Sequence, residues 1–415
     1  MAGFQLLSGC STKRQVGGRG WAPREALTAI KPHLPTFGIT RVANVTGMDT
    51  VGIPTVMVTR PNSRSLSVSQ GKGVDLDSAR ASGIFESVEQ WHAERIVLPR
   101  RLTRIDELAR DGRIVDVARL PGYIDQFDAS RRILWVEGSD LTSGEMCFVP
   151  FEMVHLDFTL PLPAGSGCFM PGSNGLASGS SPAEAVLHGL CELIERDALT
   201  LFYGMSWQEQ WHRRIDLESV PDPTNRGLLK AFARADIDVA VWEITSDVGV
   251  PAYLCSILEH SRDPFRPVGL ARGSGAHVDA SAALSRALTE AAQSRLTRIV
   301  GTRDDIQSVE FDRLRTEDKF EEARRQLAAP ARPPRAFQPS QSPPPRESLE
   351  EDIAWLRDLL AKAGMTEIVI VNLSRQGLPV AVFRTIVPGL EALSEVPGYR
   401  PGERAKALAS RSDSD

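Results

Sequence analysis

Apolar positions recur at helical spacing in several stretches of this chain. Across Pro182–Tyr203, Val186, Leu187, Leu190, Leu193 and Ile194 fall on one side of a helix turning 100° per residue. Glu184, His188, Glu192 and Glu195 fall within roughly 80° of one another on the opposite side. Ser180, Ser181 and Pro182 supply the start of that helix, hydroxyl caps followed by a proline suited to a first turn. The same pattern predicts a helix over 77–96, with Glu86 and Glu89 opposite Ala81, Ile84, Phe85 and Val88. A third covers 280–299, where Arg286, Glu290 and Gln293 share one face. Shorter helices are expected at Pro23–Ile30 and over 349–363, with mixed helix and strand over 226–258. Short apolar runs predict strands at 53–58, 368–371 and 380–386, and strands alternating with turns through 114–160. The sequence shows no internal repeat of fixed period.

Prolines at 330, 333, 334, 339, 343, 344 and 345 exclude a helix or a central strand there. An exposed extended loop over 329–347 follows, with an SH3-type ligand as the sharper alternative. The expected organisation is an N-terminal αβ segment (1–64) joined in one unit to a core over 65–395. That core contains the proline-rich loop, and a polar tail follows over 396–415.

The chain has 415 residues, 48 Lys and Arg against 53 Asp and Glu, and a formal net charge of -5. This mildly acidic balance offers no electrostatic reason to bind nucleic acid and no polybasic membrane patch. No apolar run approaches the roughly 18 residues that span a bilayer. Leu7-Ser8-Gly9-Cys10 has the form of a lipoprotein cleavage box, but it lacks the basic start and the apolar stretch of about 7–15 residues of a signal peptide. The five cysteines, Cys10, Cys147, Cys168, Cys191 and Cys255, are scattered and form no C-x-x-C pair. A reduced, cytoplasmic protein is therefore expected, with Cys168, Cys191 and Cys255 inert and His92 and His277 structural.

Familiar chemistry is missing. The chain has no G-x-x-x-x-G-K-[ST], H-E-x-x-H or G-x-S-x-G. What remains is the acid on the three helices. A solvated face is the plain explanation, but such faces usually alternate sign. The i,i+3 pairs Glu86/Glu89 and Glu192/Glu195 are instead like-charged, which costs a few tenths of a kcal/mol each. Two of the helices follow glycine-rich approaches, Gln70-Gly71-Lys72-Gly73 and Ser173 to Gly179, of the kind that bring backbone N–H groups close to an anion. Four carboxylates meeting in one cleft would need compensating cations. Hard oxygen donors without Cys or paired His select Mg2+, which takes a few carboxylates and nucleotide phosphates. The pattern points to a Mg-nucleotide site outside P-loop geometry.

These residues resemble the YcaO family. Gly71-Lys72-Gly73, Ala81-Ser82 and Glu86-x-x-Glu89 are similar to its first ATP-site motif. Asn174-Gly175-Leu176-Ala177, Glu184-Ala185, His188-Gly189-Leu190 and Glu192 to Asp197 resemble the second. Arg286 to Arg295 resembles the third, and Val387-Pro388-Gly389-Leu390-Glu391 the closing segment. The order and spacing agree over residues 38–395. The resemblance implies an α+β, YcaO-type ATP-binding fold of mixed sheets with flanking helices in several subdomains. It implies Mg2+ ligands at Glu86, Glu89, Glu192 and Glu195. ATP would be lined by Glu184, His188, Arg196, Arg286 and Glu290, with Ser82 in the first motif, and with Lys72 and Asn174 placing phosphate or loop. Lys13 is a further candidate for the nucleotide. Gln90 departs from the arginine that many members carry there.

Family members use ATP to phosphorylate a peptide amide oxygen after a nucleophile adds, so the oxygen leaves as phosphate. Sulfide gives a thioamide, and a side-chain thiol or hydroxyl gives an azoline. The tail Ala409 to Asp415 lacks the Pro-x-Pro-x-Pro ending of azoline-forming members, and no fused leader-binding domain is expected. Gly38-Ile39-Thr40-Arg41 and Gly52-Ile53-Pro54 resemble members paired with TfuA-like proteins. The expectation is thioamide formation on a peptide or protein substrate with a separate TfuA-like or leader-binding partner, and a homodimer stays open. Azoline cyclodehydration, a non-catalytic scaffold, an accessory role in ribosomal-protein methylthiolation and a carboxylate-bound metal hydrolase are the alternatives.

Overall fold

Where the chain turns from strand to helix, the helix starts are fixed by short polar side chains, and these turns organise the architecture. The structure is a computed structural model that describes residues 20–123, 127–263, 265, 267–303, 316–328, 333–338 and 346–412. After helix α1 (Pro23–Ile30), strands β1 (Arg41–Asn44), β2 (Thr55–Thr59) and β3 (Val68–Lys72) form an antiparallel sheet in that order. Helix α2 (Leu76–Glu94) follows, capped by Asp75, which accepts from Ser78 N–H at 2.7 Å. Strands β4 (Arg100–Thr103), β5 (Arg113–Ile114), β6 (Ile133–Asp140), β7 (Met146–Pro150) and β8 (Leu176–Gly179) enter a seven-stranded sheet. Its order is β5-β7-β6-β14-β15-β8, with β14 (Val369–Asn372) and β15 (Ala381–Ile386) coming from the far end of the chain and β4 pairing with β6.

Helix α3 (Pro182–Tyr203) leaves β8 with Ser181 as its cap, and has the bounds its periodicity predicts. A third sheet holds β10 (Ile237–Glu243), β11 (Ala252–Glu259) and β12 (Ala271–Ala276). It packs against α4 (Pro223–Arg234) and α5 (Ala280–Val300), the latter capped by Asp279. Helices α6 (Glu317–Leu327) and α7 (Leu349–Lys362) complete the middle of the chain, and Ile353, Leu356 and Leu360 of α7 pack with Leu187, Leu190 and Ile194 of α3. These are mixed sheets with flanking helices, as expected. Among the described residues no helix is long and apolar enough to cross a membrane.

Two stretches depart from the sequence reading. Part of the proline-rich segment, 333–338, is described: β13 (Arg335–Ala336) runs parallel to β9 (Ile215–Asp216), and Phe337 is buried beside Tyr253. The remainder, 329–332 and 339–345, lies outside the described residues. In the stretch read as a polar tail, Glu403–Ser412 forms helix α8. Its Arg404 clamps the fully buried Asp197 through Nε at 2.8 Å and Nη2 at 3.0 Å. Glu391 accepts from Tyr399 Oη, Gly402 N–H and Ala405 N–H, each at 2.9 Å, and so ties the start of α8 to the segment before it.

The four described cysteines are buried and free. Burial pushes the Cys191 thiol up to about 11 and Cys147 to about 12, which suits inert thiols. His92 is buried under Phe37 and Trp91, and its Nδ1–H donates to Val88 O at 2.7 Å. Burial pushes it from 6.5 to about 4, more than the Val88 bond restores, and nearby Arg375 adds to the depression. Above pH 6.5 both folded and unfolded forms hold it neutral. Between 6.5 and 4 only the unfolded chain takes the proton, so stability falls on acidification by up to about 1.4 kcal/mol per pH unit. In urea melts at pH 7 and pH 5, His92→Gln is expected to lose about 2 kcal/mol less than the wild type over that interval. Parallel losses would show that His92 takes no part in the acid response.

Candidate active site

The three acid-bearing helices occupy equivalent places. Each follows the end strand of a sheet and a polar turn, and each cap accepts from the N–H three residues on. Counting from Asp75, Ser181 and Asp279, the seventh residues are Ser82, His188 and Arg286, the eleventh Glu86, Glu192 and Glu290, and the fourteenth Glu89, Glu195 and Gln293. The caps are 106 and 98 residues apart, and that inequality conceals a threefold repetition from any search for a fixed period. We term the units 1 (β3–α2), 2 (β8–α3) and 3 (β12–α5).

Strand and helix touch closely within a unit. A Cβ built on Gly71 would lie 2.1 Å from Ala79 O, and one on Gly275 would lie 2.4 Å from Ala283 O, so only glycine fits at these crossings. The contact lets an N–H of the strand, or of the turn just before it, reach the eleventh-position carboxylate of its own helix. Gln70 N–H donates to Glu86 at 3.4 Å, Gly175 N–H to Glu192 at 3.3 Å, and Ser274 N–H to Glu290 at 3.5 Å.

The fourteenth residue crosses to the next unit. Glu89 Oε1 accepts from Ser178 N–H at 2.9 Å and Ser178 Oγ at 2.6 Å. Glu195 accepts from Ser274 Oγ at 2.6 Å and Ala276 N–H at 3.0 Å. Gln293 Nε2 donates to Gln70 Oε1 at 3.4 Å. Unit 1 therefore bonds to unit 2, unit 2 to unit 3, and unit 3 back to unit 1.

The electrostatics follow from that ring. Burial pushes the Glu86 carboxyl up to about 7, with Arg303 and Lys72 holding part of it back. Burial takes Glu89 to about 8, where the charges of Glu86 and Glu192 add and the Ser178 bonds oppose. Glu192 is likewise raised by burial, against the pull of Arg196 and with the push of Glu195. Arg196 reaches Glu195 at 3.3 Å and Glu192 at 3.5 Å. Lys72 pairs with Glu290 and, with Arg196, holds it below the usual carboxylate range despite burial.

The remaining expected residues are placed as follows. Glu184 is buried, and its carboxylate accepts from Ser180 N–H at 2.8 Å and Oγ at 2.7 Å in its own helix start. His188 and Ser82 are half-buried on their helices, and Arg286 donates to Ala276 O at 3.3 Å. Asn174 lies in the turn before β8, its carbonyl accepting from Arg384 at 2.7 Å. Gln90 donates to Glu86 Oε1 at 3.4 Å while accepting from Ser69 Oγ at 3.1 Å and Arg60 at 3.4 Å. Lys13 lies outside the described residues.

Sequence reasoning missed Arg384, fully buried on β15, whose charge is felt by Glu89 and Glu192 and whose Nη2 donates to Val154 O at 3.2 Å. Its signal was an arginine inside the apolar run Ala381–Ile386. Ser178 and Ser274 were missed as well, both small hydroxyls just before a glycine at a strand end.

Among the described residues no three His, Cys, Asp or Glu side chains close on one point as a ready metal cage. The carboxylates come instead in pairs on two helices, all oxygen donors, crowded enough that burial and mutual repulsion raise three of the four. A cation of magnesium's class takes one or two carboxylates and fills its other positions with water or phosphate oxygens. The donor set fits such a group.

The fold and this seam define an α+β protein of mixed sheets whose acid-bearing helices converge from three repeated strand–helix units. The chain belongs to the YcaO family: the family described as "YcaO cyclodehydratase, ATP- and Mg2+-binding" matches residues 70–391. A protein of the tfuA 3' region of Rhizobium leguminosarum bv. trifolii is 38% identical over 379 residues, 90% of this chain and 88% of that one. A Methanothermobacter thermautotrophicus protein is 33% identical over 393 residues, 93% of this chain and 98% of that one. Among solved structures, YcaO from Methanopyrus kandleri bound with AMPPCP and Mg2+ superposes with a TM-score of 0.73 at 22% identity, covering 94% of this chain and 99% of that one. A heterocyclase in complex with substrate and cofactor gives a TM-score of 0.75 at 24% identity over 94% of this chain, which spans only 55% of the heterocyclase chain.

Proposed function

We propose that this chain uses Mg-ATP to activate a peptide backbone amide, and that its product is a thioamide made with a sulfur-delivering, TfuA-like partner. The observation that carries the reading is the ring of carboxylates interleaved with cations, together with membership of an ATP- and Mg2+-binding family. The tfuA-region relative supports the partner and with it the sulfur branch. In this reading Glu86, Glu89, Glu192 and Glu195 hold Mg2+. Lys72, Ser82, Asn174, Glu184, His188, Arg196, Arg286 and Glu290 line the nucleotide. The metal supplies charge neutralisation for phosphoryl transfer when bound.

The chain's own side chains do the positioning. Arg196 is fixed by two carboxylates and offers a rigid cation, and Arg384 fixes the Asn174 turn by its carbonyl. Sulfide adds to the amide carbon, the resulting oxyanion takes the γ-phosphoryl group of ATP, and the C–O bond breaks. ADP, phosphate and the thioamide are released. The family's cyclodehydratase description favours one second reading, azoline formation, in which a side-chain thiol or hydroxyl replaces sulfide.

Calorimetry is expected to show AMPPCP binding that requires Mg2+. Mass spectrometry of a peptide pool treated with protein, partner, Mg-ATP and sulfide is expected to show exchange of sulfur for oxygen. Loss of water without sulfide would select the azoline reading, and absence of Mg-dependent nucleotide binding would refute both.

A further inference from the structure

The three units can be compared position by position, and they are not electrostatically equal. The fourteenth residue of each helix faces the strand of the next unit. Glu89 of unit 1 faces β8, which presents Ser178. Glu195 of unit 2 faces β12, which presents Ser274 and the Ala276 N–H. Both strands offer uncharged donors. Helix α5 of unit 3 faces β3 and breaks the pattern twice. Its fourteenth residue is the amide Gln293 rather than a glutamate, and β3 presents the ammonium of Lys72 to Glu290.

Lys72, Ser178 and Ala276 all stand three residues before their caps, so the lysine is a substitution within a common frame. The first pair holds two carboxyls whose hydrogen-bond donors are neutral, and the charges of Lys72, Arg303 and Arg384 are felt there. The second carries two, met by Arg196 from its own helix. The third carries one, and Lys72 cancels it from across the seam. That ion pair is only partly exposed, at 23% for each side chain.

Resting on the Mg-ATP reading above, we propose that Lys72 is a built-in cation that takes, on the third helix, the place divalent ions take on the first two. Lys72 and Gln293 together thus set how many metal ions the site holds. They close the third face to metal and leave it to an anionic ligand. A point-charge ammonium with three rotatable donors suits that double duty, satisfying Glu290 while a phosphate oxygen approaches from the open side.

The test is a metal count. Wild-type protein and the double variant Lys72→Gln/Gln293→Glu, which rebuilds a Glu/Glu pair facing neutral donors, are titrated with Mn2+ in the presence of AMPPCP. Free Mn2+ is read by its paramagnetic resonance signal. The double variant is expected to bind one ion more per chain than the wild type. A folded double variant that takes the wild-type number overturns the proposal. Should the double variant fail to fold, Lys72→Gln carries the test alone: the additional ion is expected at higher Mn2+ concentration, and a count equal to wild type throughout the titration overturns the proposal. No Mn2+ uptake by the wild type with AMPPCP would instead remove the Mg-ATP reading on which the proposal rests.

Discussion

Glu89→Gln is expected to lower Mg-dependent ATP turnover by more than about 100-fold, because partners one shell out from a metal already cost about 10–100-fold when changed. The same loss is expected of Glu195→Gln, but the two variants should separate in stability. Both donors on Glu89, the N–H and hydroxyl of Ser178, fall on a single oxygen. A glutamine carbonyl can accept both, and the substitution replaces a carboxyl whose ionisation burial and its acidic neighbours oppose. The melting temperature of metal-free Glu89→Gln is therefore expected to equal or exceed that of the wild type. Glu195 spreads its donors over two oxygens, Ser274 Oγ on one and Ala276 N–H on the other. A glutamine there must point its NH2 group at a donor, a cost of about 1–3 kcal/mol in a buried site. Turnover, calorimetry and thermal melts on the two proteins check this together. Near-wild-type turnover in both would remove the assignment of these carboxylates.

The helices were legible because burial imposes a period, and the caps fix where each period starts. Pro182–Tyr203 shows both: its apolar back lies in the core with α7, and Ser181 accepts where the pattern begins. Strand β12 was not legible. Ala271-Arg272-Gly273-Ser274-Gly275-Ala276 has neither alternation nor β-branched residues. Its glycines answer to helix α5 lying directly on the strand, since a Cβ at Gly273 would fall 2.2 Å from Ala291 N. Helix α8 was hidden for a different reason. Little apolar surface announces it, and its anchor is an ion pair from Arg404 to Asp197, 207 residues earlier in the chain. The acidic faces pointed to the candidate site, but the seams could not be read. Which strand a carboxylate crosses to, as Glu89 does to Ser178, depends on how the three sheets stand around the ring.

Gly71→Ala is expected to destabilise the fold by at least about 3 kcal/mol, the upper part of the range for overpacking a close contact. The added methyl carbon would lie 2.1 Å from Ala79 O and 2.2 Å from Gly83 N, both backbone atoms of α2. No side chain can rotate away, so strand and helix must part. Gly83 is itself pressed against β2, where a Cβ would meet Val56 and Val58 methyls at 3.1 Å, which leaves α2 little room to tilt. The displacement also separates the Gln70 N–H from Glu86 and disturbs Lys72, one residue along the strand from Gly71. Activity should accordingly fall further than the folded fraction does. Gly47→Ala is the control: its φ is not in the left-handed region and nothing lies within 4 Å of the new carbon, so its change is expected to stay within about 0.5 kcal/mol. Urea melts of the two variants read the stability difference, and AMPPCP binding per folded molecule reads the displacement. Equal stability would mean that the crossing of β3 and α2 yields easily to an added carbon, and that the close approach is not what holds unit 1 in register with the ring.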